Sequence, residues 1–199
     1  MFSTILATIA AISIINYQGA TVKPEAILAS HQMSLEDRYQ VPSVNNVFKE
    51  NILLSLAYLR GISKETSVDW NEVNKPFHFV LTLKPGDVFA FHDSVLPEYR
   101  GKEGFTTHAH FNSQQGFLSD GYLFGDGVCH LASLIYWVAK DAGLDALAPT
   151  SHDFANIPDV PKKYGVAIYY APGEDGTSAR ENLYVTNNKD KNISFIFDY

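Results

Sequence analysis

The stretch GDGVCHLASLIYWVAKDAG, residues 125–143, decides how the rest of the chain is interpreted, because it predicts a long helix. Apolar residues recur in it at helical spacing, and Gly143 follows the last of them, as glycine often does where a helix ends. We expect the helix to run from 127 to 142, with one face packed on the core. That face consists of Val128, Leu131, Leu134, Ile135, Val138 and Ala142.

Segments on both sides of this helix carry the patterns of a second helix and of several strands. Residues 47–62 have apolar positions close to a period of 3.6 residues. Short alternating runs predict strands, two of them joined by a turn at residues 84–86 and the final two forming a hairpin across residues 187–192. This order indicates an α+β fold, with an antiparallel sheet packed against one or two helices. The expected strands cover residues 77–83, 88–91, 105–111, 166–170, 183–185 and 193–197.

The composition is that of one globular domain that is unsuited to nucleic acid. The 199 residues are 46% hydrophobic and 13% aromatic, which is enough for a substantial core. The net charge is −7 and the sequence has no run of Lys or Arg, so binding to a phosphate backbone is not expected. A single cysteine excludes an internal disulfide framework and a multi-cysteine zinc site.

The first 22 residues contain no charged side chain and include an apolar stretch from 2 to 17. This pattern suits a hydrophobic signal peptide or a membrane anchor, although the basic residues that usually begin a signal peptide are missing. The alternative is a buried or swapped helix of a soluble domain. We expect an exported or membrane-anchored protein, with residues 23–46 as a linker or lead-in and residues 47–199 as the main domain.

The candidate chemistry centres on Cys129, in the first turn of the expected helix. Free amide groups and the positive end of the helix dipole gather there and stabilise a thiolate, so a lowered thiol pKa is expected. Gly125 and Gly127, on either side of Asp126, let the backbone turn sharply and leave room for a substrate. Ser133, one turn later, shares this face and is a candidate ligand contact; the alternative is a bond back to a helix carbonyl.

Two later residues complete a candidate thiol-enzyme constellation. His152 follows in a proline-flanked loop, and Asp175 follows in a Pro-Gly turn. A cysteine at a helix N-terminus, then a histidine, then an acid is the chain order of papain-like and transglutaminase-like enzymes. In that scheme Cys129 is the nucleophile, His152 the base and Asp175 the orienting acid, with His130 as a substitute base. The alternative is a buried structural cysteine with an ordinary loop histidine and a turn acid.

A metal site is a weaker alternative. His108-Ala109-His110 places two imidazoles on one face of a strand, and Cys129 could supply a thiolate at a distance. Apart from this hypothesis, the sequence implies no cofactor.

Four motifs of the chain occur in the same order in a known family. The cysteine motif GDGVCHLASLIY at residues 125–136 resembles GGGvCQvsstLY of the VanW-like family, named after an accessory protein of vancomycin-resistance clusters. Residues 142–144 resemble the aGL that closes that family's helix. The resemblance extends over residues 47–199, including the earlier helix around Asn51. The other motifs are LKPGDVFAFH at 83–92 for PGevFSfN, YAPGEDGT at 170–177 for YvPpGxDAT, and NLYVTNN at 182–188 for dLkfkNnT.

The chain departs from the family pattern at four places. Asp126 replaces the central glycine of the triple, His130 replaces the glutamine after the cysteine, and Gly176 replaces the alanine of DAT. The family's His-Ser pair matches His152 and Asp153. The resemblance implies a bacterial cell-envelope protein, often with an N-terminal membrane segment, linked to peptidoglycan or to the glycopeptide response. It implies no particular reaction.

Two functional hypotheses follow. The first is an exported thiol enzyme that cleaves or transfers an amide or acyl bond of cell-wall peptide. The second is a non-catalytic envelope module that binds a peptide or glycan beside the glycine-rich loop, with Cys129 in a structural role. An exposed thiol of low pKa favours the enzyme, and a buried neutral thiol favours the module.

Overall fold

The computed structural model describes residues 3–12, 26–63, 68–122 and 124–199. Within these ranges the chain is α+β, with few helices and mostly antiparallel strands, as the sequence predicts. Short 3₁₀ turns occur at Pro97–Tyr99, Ser113–Gln115 and Lys162–Tyr164. The elements in chain order are β1 (Thr4–Ile12), β2 (Ala26–Ser34), α1 (Pro42–Leu59), α2 (Trp70–Val73), β3 (His78–Leu83), β4 (Val88–Ala90), β5 (Glu103–Phe105), α3 (Val128–Asp141), β6 (Asp145–Leu147), α4 (Asp175–Arg180), β7 (Tyr184–Thr186) and β8 (Asn192–Asp198).

The first sheet has the order β2-β1-β8-β3, with every neighbouring pair antiparallel. β1 is a central strand, and its buried residues Ile5 and Ile9 face the core. Residues 4–12 of the segment expected to be a signal peptide or anchor are therefore a sheet strand, and residues 13–22 lie outside the described part. The expected linker, residues 23–46, contains β2 and the start of α1. Among the described residues, the helices are too short or too polar to cross a membrane.

The second sheet has the order β5-β4-β7-β6, parallel between β4 and β5 and antiparallel elsewhere. Two expected strand pairings are wrong, because β3 and β4 lie in different sheets and so do β7 and β8. The β3–β8 ladder continues as the β4–β7 ladder across a common corner. There the Gly86 amide donates to the Asn187 carbonyl at 2.9 Å, and the Asn187 amide donates to the Asp87 carbonyl at 3.0 Å.

Both helices expected from periodicity are confirmed, with α1 at Pro42–Leu59 and α3 at Val128–Asp141. α3 packs against β1, β2 and β6 and against α1. Residues 51–58 of α1 are buried on all sides, so this stretch is a core helix and not an amphipathic surface helix. Burial of each large apolar side chain here contributes about 1.5–3 kcal/mol to folding.

The expected strand at 166–170 is replaced by an extended segment that crosses the start of α3. Val166 forms one isolated bridge with Ser151. The amides of Val166 and Ile168 instead donate to side chains of α3, at 2.9 Å to Ser133 Oγ and 3.4 Å to Cys129 Sγ. These side-chain acceptors satisfy the backbone without a strand partner. The strand expected at 105–111 is also shorter and earlier, because β5 ends at Phe105.

Candidate functional site

The glycine-rich loop before α3 has a backbone that side chains would obstruct. Gly125 and Gly127 have φ values of +87° and +97°, in the left-handed region that favours glycine. Gly127 caps α3, and a Cβ built on it would lie 2.6 Å from the Phe48 carbonyl oxygen. The loop therefore packs directly on the backbone of α1.

Asn51 of α1 holds this loop in place. Its Nδ2 donates to the Asp126 and Leu118 carbonyls at 2.9 and 3.0 Å, and its Oδ1 accepts from the Leu118 amide at 2.8 Å. The side chain is fully buried and satisfies three backbone groups. An asparagine in the most apolar part of α1 was the sequence signal that could have identified it, since a buried amide needs partners.

A cavity of about 230 Å³ opens beside the loop, and we call it the loop cavity. Its rim is aromatic: Phe154 is 78% exposed, and Tyr39, Phe124 and Tyr169 are each about half exposed. It adjoins a wider depression of about 580 Å³, with which it shares Arg38, Tyr39 and Asn156. The loop cavity is lined by Arg38, Tyr39, Phe48, Phe124, Gly125, Asp126, Gly127, Cys129, His130, His152, Phe154, Ala155, Asn156, Ile168 and Tyr169.

Cys129 is the second residue of α3 and lies in the wall of this cavity. Its sulfur donates to the Ile168 carbonyl at 3.7 Å and accepts from the Ile168 amide at 3.4 Å. The residue is half-buried by its accessible surface. Desolvation of the sulfur raises the pKa of the Cys129 thiol to about 11, and the carboxylates of Glu181 and Asp126 oppose the thiolate further. The lowered pKa expected from the sequence is therefore wrong, because desolvation outweighs the helix N-terminus.

The two candidate bases also line the loop cavity, with their ring centroids 6.4 Å apart. His130 is 5% exposed and packs on Phe48, with ring centroids at 5.0 Å. Burial, with help from the positive charge of Arg38, lowers the pKa of His130 to about 3. Burial lowers the pKa of His152 as well, and its ring contacts Phe154 with centroids at 4.0 Å. Both histidines are neutral at neutral pH.

Arg38 is a charged residue at the junction of the two depressions, and it is 2% exposed. Its Nη1 donates to the Pro158 carbonyl at 2.9 Å, and its Nη2 donates to Asp159 at 2.5 Å. Within the described part of the chain, three nitrogens of the cavity-lining residues are buried without a hydrogen-bond partner: Arg38 Nε, His130 Nδ1 and His152 Nδ1. Desolvation lowers the pKa of Arg38, and Asp159 counteracts this effect.

Of the four candidate substrate-binding residues, three line the loop cavity and one is buried in α3. Asp126 lines the loop cavity, where its Oδ2 accepts from the Asp120 amide at 3.2 Å and burial raises its pKa. Gly125 and Gly127 line the cavity beside it. Ser133 is fully buried; its hydroxyl donates to the Cys129 carbonyl at 2.7 Å and accepts from the Val166 amide. Ser133 therefore has the structural role that was the alternative to ligand contact.

Asp175 lies elsewhere, as the first residue of α4. It lines a different cavity, of about 290 Å³, with Asp93, Arg100, Glu103 and Tyr170 among its neighbours. Asp175 is not among the residues that line the loop cavity, so the structure does not bring it to Cys129 and His152.

The histidines of the metal hypothesis face a carboxylate and not the cysteine. His110 Nε2 lies 3.2 Å from Asp93 Oδ1, and His108 Nδ1 lies 3.8 Å from Asp93 Oδ2. Cys129 faces the Ile168 backbone instead. In the part of the chain that the structure describes, we find no group of three His, Cys, Asp or Glu side chains placed to hold a metal.

Sequence reasoning missed the three lining residues that come from α1 and the segment before it. Arg38, Tyr39 and Phe48 carry no motif, and the first two lie in the segment expected to be a linker. A lone arginine followed by an aromatic residue gives no signal in one sequence. Their role becomes visible only when the chain folds α1 against the start of α3.

The family model described as VanW like protein matches residues 79–198, which is more than half of the chain and contains α3 and the glycine-rich loop. No curated protein and no solved structure matches the chain.

Proposed function

Because the chain belongs to the VanW-like family, whose name ties it to vancomycin resistance, we propose that it is a non-catalytic module of the bacterial cell envelope. In this proposal the loop cavity binds a peptide or glycan fragment of the cell wall. The observation that carries the proposal is the ring of exposed aromatic side chains around a cavity with buried polar groups.

The aromatic rim supports binding because exposed aromatic side chains that cluster around one opening are typical of an interaction site. Tyr39, Phe124, Phe154 and Tyr169 come from four separate parts of the chain and meet at one opening. Aromatic faces pack well on the apolar faces of sugars and on peptide side chains. A concave site with an apolar rim and a few buried polar groups is the usual form of a ligand pocket.

The state of Cys129 supports binding over catalysis. A thiol with a pKa of about 11 is protonated at neutral pH, and the protonated form is a poor nucleophile. Both of its hydrogen bonds go to Ile168, which suggests a role in fastening the 166–170 segment to α3.

The thiol enzyme is the second candidate, because Cys129, His130 and His152 line one cavity. Without Asp175 it would be a cysteine–histidine pair and not a triad. For this enzyme, Cys129→Ser must abolish turnover of a cell-wall peptide. For the binding module, the same variant must keep its ligand affinity.

The test of binding is titration of the protein with purified cell-wall muropeptides, followed by calorimetry and amide chemical shifts. We compare Phe154→Ala, at the rim, with Phe105→Ala, an exposed aromatic of β5 that does not line the cavity. The rim variant should weaken binding about tenfold, since a stacked aromatic contributes on the order of 1 kcal/mol. Phe105→Ala should bind as the wild type does. Equal losses in both variants, or saturable binding without shifts at the cavity, would contradict the proposal.

A further inference from the structure

We propose that the loop cavity recognises its ligand through a carboxylate, which accepts hydrogen bonds from Arg38 Nε and His130 Nδ1. This inference rests on the proposed binding function and adds the chemical group of the ligand that the cavity recognises. The carboxylate could belong to the C-terminus of a peptide or to a sugar acid.

Arg38 has an unused donor where donors are normally satisfied. Its two Nη groups are engaged by Pro158 and Asp159, which fixes the guanidinium plane. Its Nε is buried and has no partner among the described atoms. An arginine Nε–H is always a donor, and leaving it buried and unpaired is unfavourable, more so because the group is charged. A ligand acceptor in the cavity would remove that cost.

His130 provides the second unused nitrogen on the same cavity wall. Its Nδ1 is buried and also lacks a partner in the described structure. The ring is held between Phe48 and His152, so it is already oriented before a ligand arrives. A neutral imidazole can carry its proton on Nδ1 and donate to an oxygen. Arg38 and His130 line the same cavity of about 230 Å³, so one small ligand can contact both.

A carboxylate matches this pair better than a neutral acceptor does. It offers two oxygens, one for each nitrogen, and hydrogen bonds to an ionised acceptor are about twice as strong as neutral ones. Asp159 balances the charge of Arg38 from the side of Nη2, outside the cavity lining. The carboxylate among the lining residues, that of Asp126, accepts from the Asp120 amide. The rim aromatics are then free to pack on the rest of the ligand.

The experiment measures the preference for a carboxylate in matched probe pairs. The pairs are N-acetyl-alanyl-alanine against its C-terminal amide, and N-acetylmuramic acid against the amide of its lactyl carboxyl group. Dissociation constants come from amide chemical-shift titrations of the full chain. We expect the acid of one pair to bind about tenfold tighter than its neutral partner, and the pair that shows this identifies the source of the carboxylate.

The variants distinguish the loss of each nitrogen donor from general damage to the fold. Arg38→Lys removes Nε, and His130→Gln removes the donor at the Nδ1 position, so both should reduce the preference to less than about twofold. His130→Asn keeps an amide donor near Nδ1 and should retain most of the preference. Arg60→Lys and His92→Gln are the controls, because these half-buried and buried residues lie outside the cavity. If Arg38→Lys does not fold, the comparison of His130→Gln with His130→Asn still tests the inference.

The outcomes distinguish this inference from the proposed function. Equal binding of acid and neutral probes at the cavity overturns the carboxylate inference and leaves a binding module. If the preference for the acid probe is unchanged in both Arg38→Lys and His130→Gln, other groups cause it. That result also overturns the inference. If none of the four probes, and no muropeptide, shifts the cavity residues, the proposed function fails with it.

Discussion

The Ile168 amide donates a hydrogen bond to Cys129 Sγ at 3.4 Å, and the same sulfur donates back to the Ile168 carbonyl at 3.7 Å. The backbone of one residue therefore accepts the thiol hydrogen and also donates to the sulfur. The extended 166–170 segment and the start of α3 meet at this pair.

We expect the Cys129 thiol to react slowly with iodoacetamide at pH 7–8, with a rate that rises toward pH 11. The reason is its raised pKa of about 11, which leaves few thiolates at neutral pH. The measurement is the alkylation rate against pH by mass spectrometry. The same chain in denaturant serves as the control and should follow the reference thiol pKa of ~8.5. A rate that reaches its plateau below pH 8 in the folded protein would restore the enzyme hypothesis.

Ser133→Ala should destabilise the protein more than Ser55→Ala does, although both serines are fully buried in helices. Ser133 satisfies the Val166 amide, which its loss leaves buried and unpaired, at about 1–3 kcal/mol. The Ser55 hydroxyl donates to the Asn51 carbonyl of its own helix, so its loss should cost about 1 kcal/mol or less. Urea unfolding of the two variants measures the difference. Equal costs would mean that Val166 finds another acceptor.

Gly127→Ala should be far more damaging than Gly86→Ala. Both glycines have positive φ values, so each substitution carries about 1–2 kcal/mol of backbone strain. A Cβ on Gly127 would also overlap the Phe48 backbone, whereas one on Gly86 would meet no described atom within 4 Å. We expect Gly86→Ala to fold with a lowered melting temperature, and Gly127→Ala to lose ligand binding or fold poorly. Similar melting temperatures would show that α1 moves away from the loop without penalty.

The free energy of unfolding should fall as the pH drops from about 6.5 toward 4. His130 has a pKa of about 3 and His92 of about 4 in the folded chain, both lowered by burial. The unfolded state takes up their protons near pH 6.5, so it binds more protons than the native state in this window. Each histidine then contributes a slope of about 1.4 kcal/mol per pH unit, with stability greater at higher pH.

The check is urea unfolding at several pH values between 6.5 and 5. His130→Gln should reduce the slope of unfolding free energy against pH by the contribution of one histidine, about 1.4 kcal/mol per pH unit. Ser133→Ala removes no titratable group and should lower stability without changing the slope. An unchanged slope in His130→Gln would mean that the His130 ring is solvated in solution.

The sequence predicts the elements of this fold better than their partners. α1 and α3 follow from helical periodicity, and β3 and β8 from alternation, because each of these signals is local. Alternation does not reveal that the corners at 84–87 and 187–191 carry each strand from one sheet to the other. β1 could not be predicted either, because an uncharged stretch is typical both of an export signal and of a central strand that is buried on both faces.

The candidate site shows the same division between local and distant information. Gly125, Gly127 and His130 could be placed beside Cys129 because they are its neighbours in the chain. His152 joined them through a loop, and Asp175 did not, which chain order alone cannot decide. The pKa of the thiol was predicted with the wrong sign, because the helix start is visible in the sequence and the covering Ile168 backbone is not.

The pairing of β1 with β8 sets the order in which this protein can be assembled. Leu6 lies opposite Asp198 and Ile9 opposite Phe195, so β1 completes its second ladder only after residues 192–198 have been made. Until then, the emerging chain carries β1 with one ladder unpaired and its apolar side chains in contact with water. Folding from the N-terminus forward therefore leaves the first sheet incomplete until β8 can pair with β1 and β3.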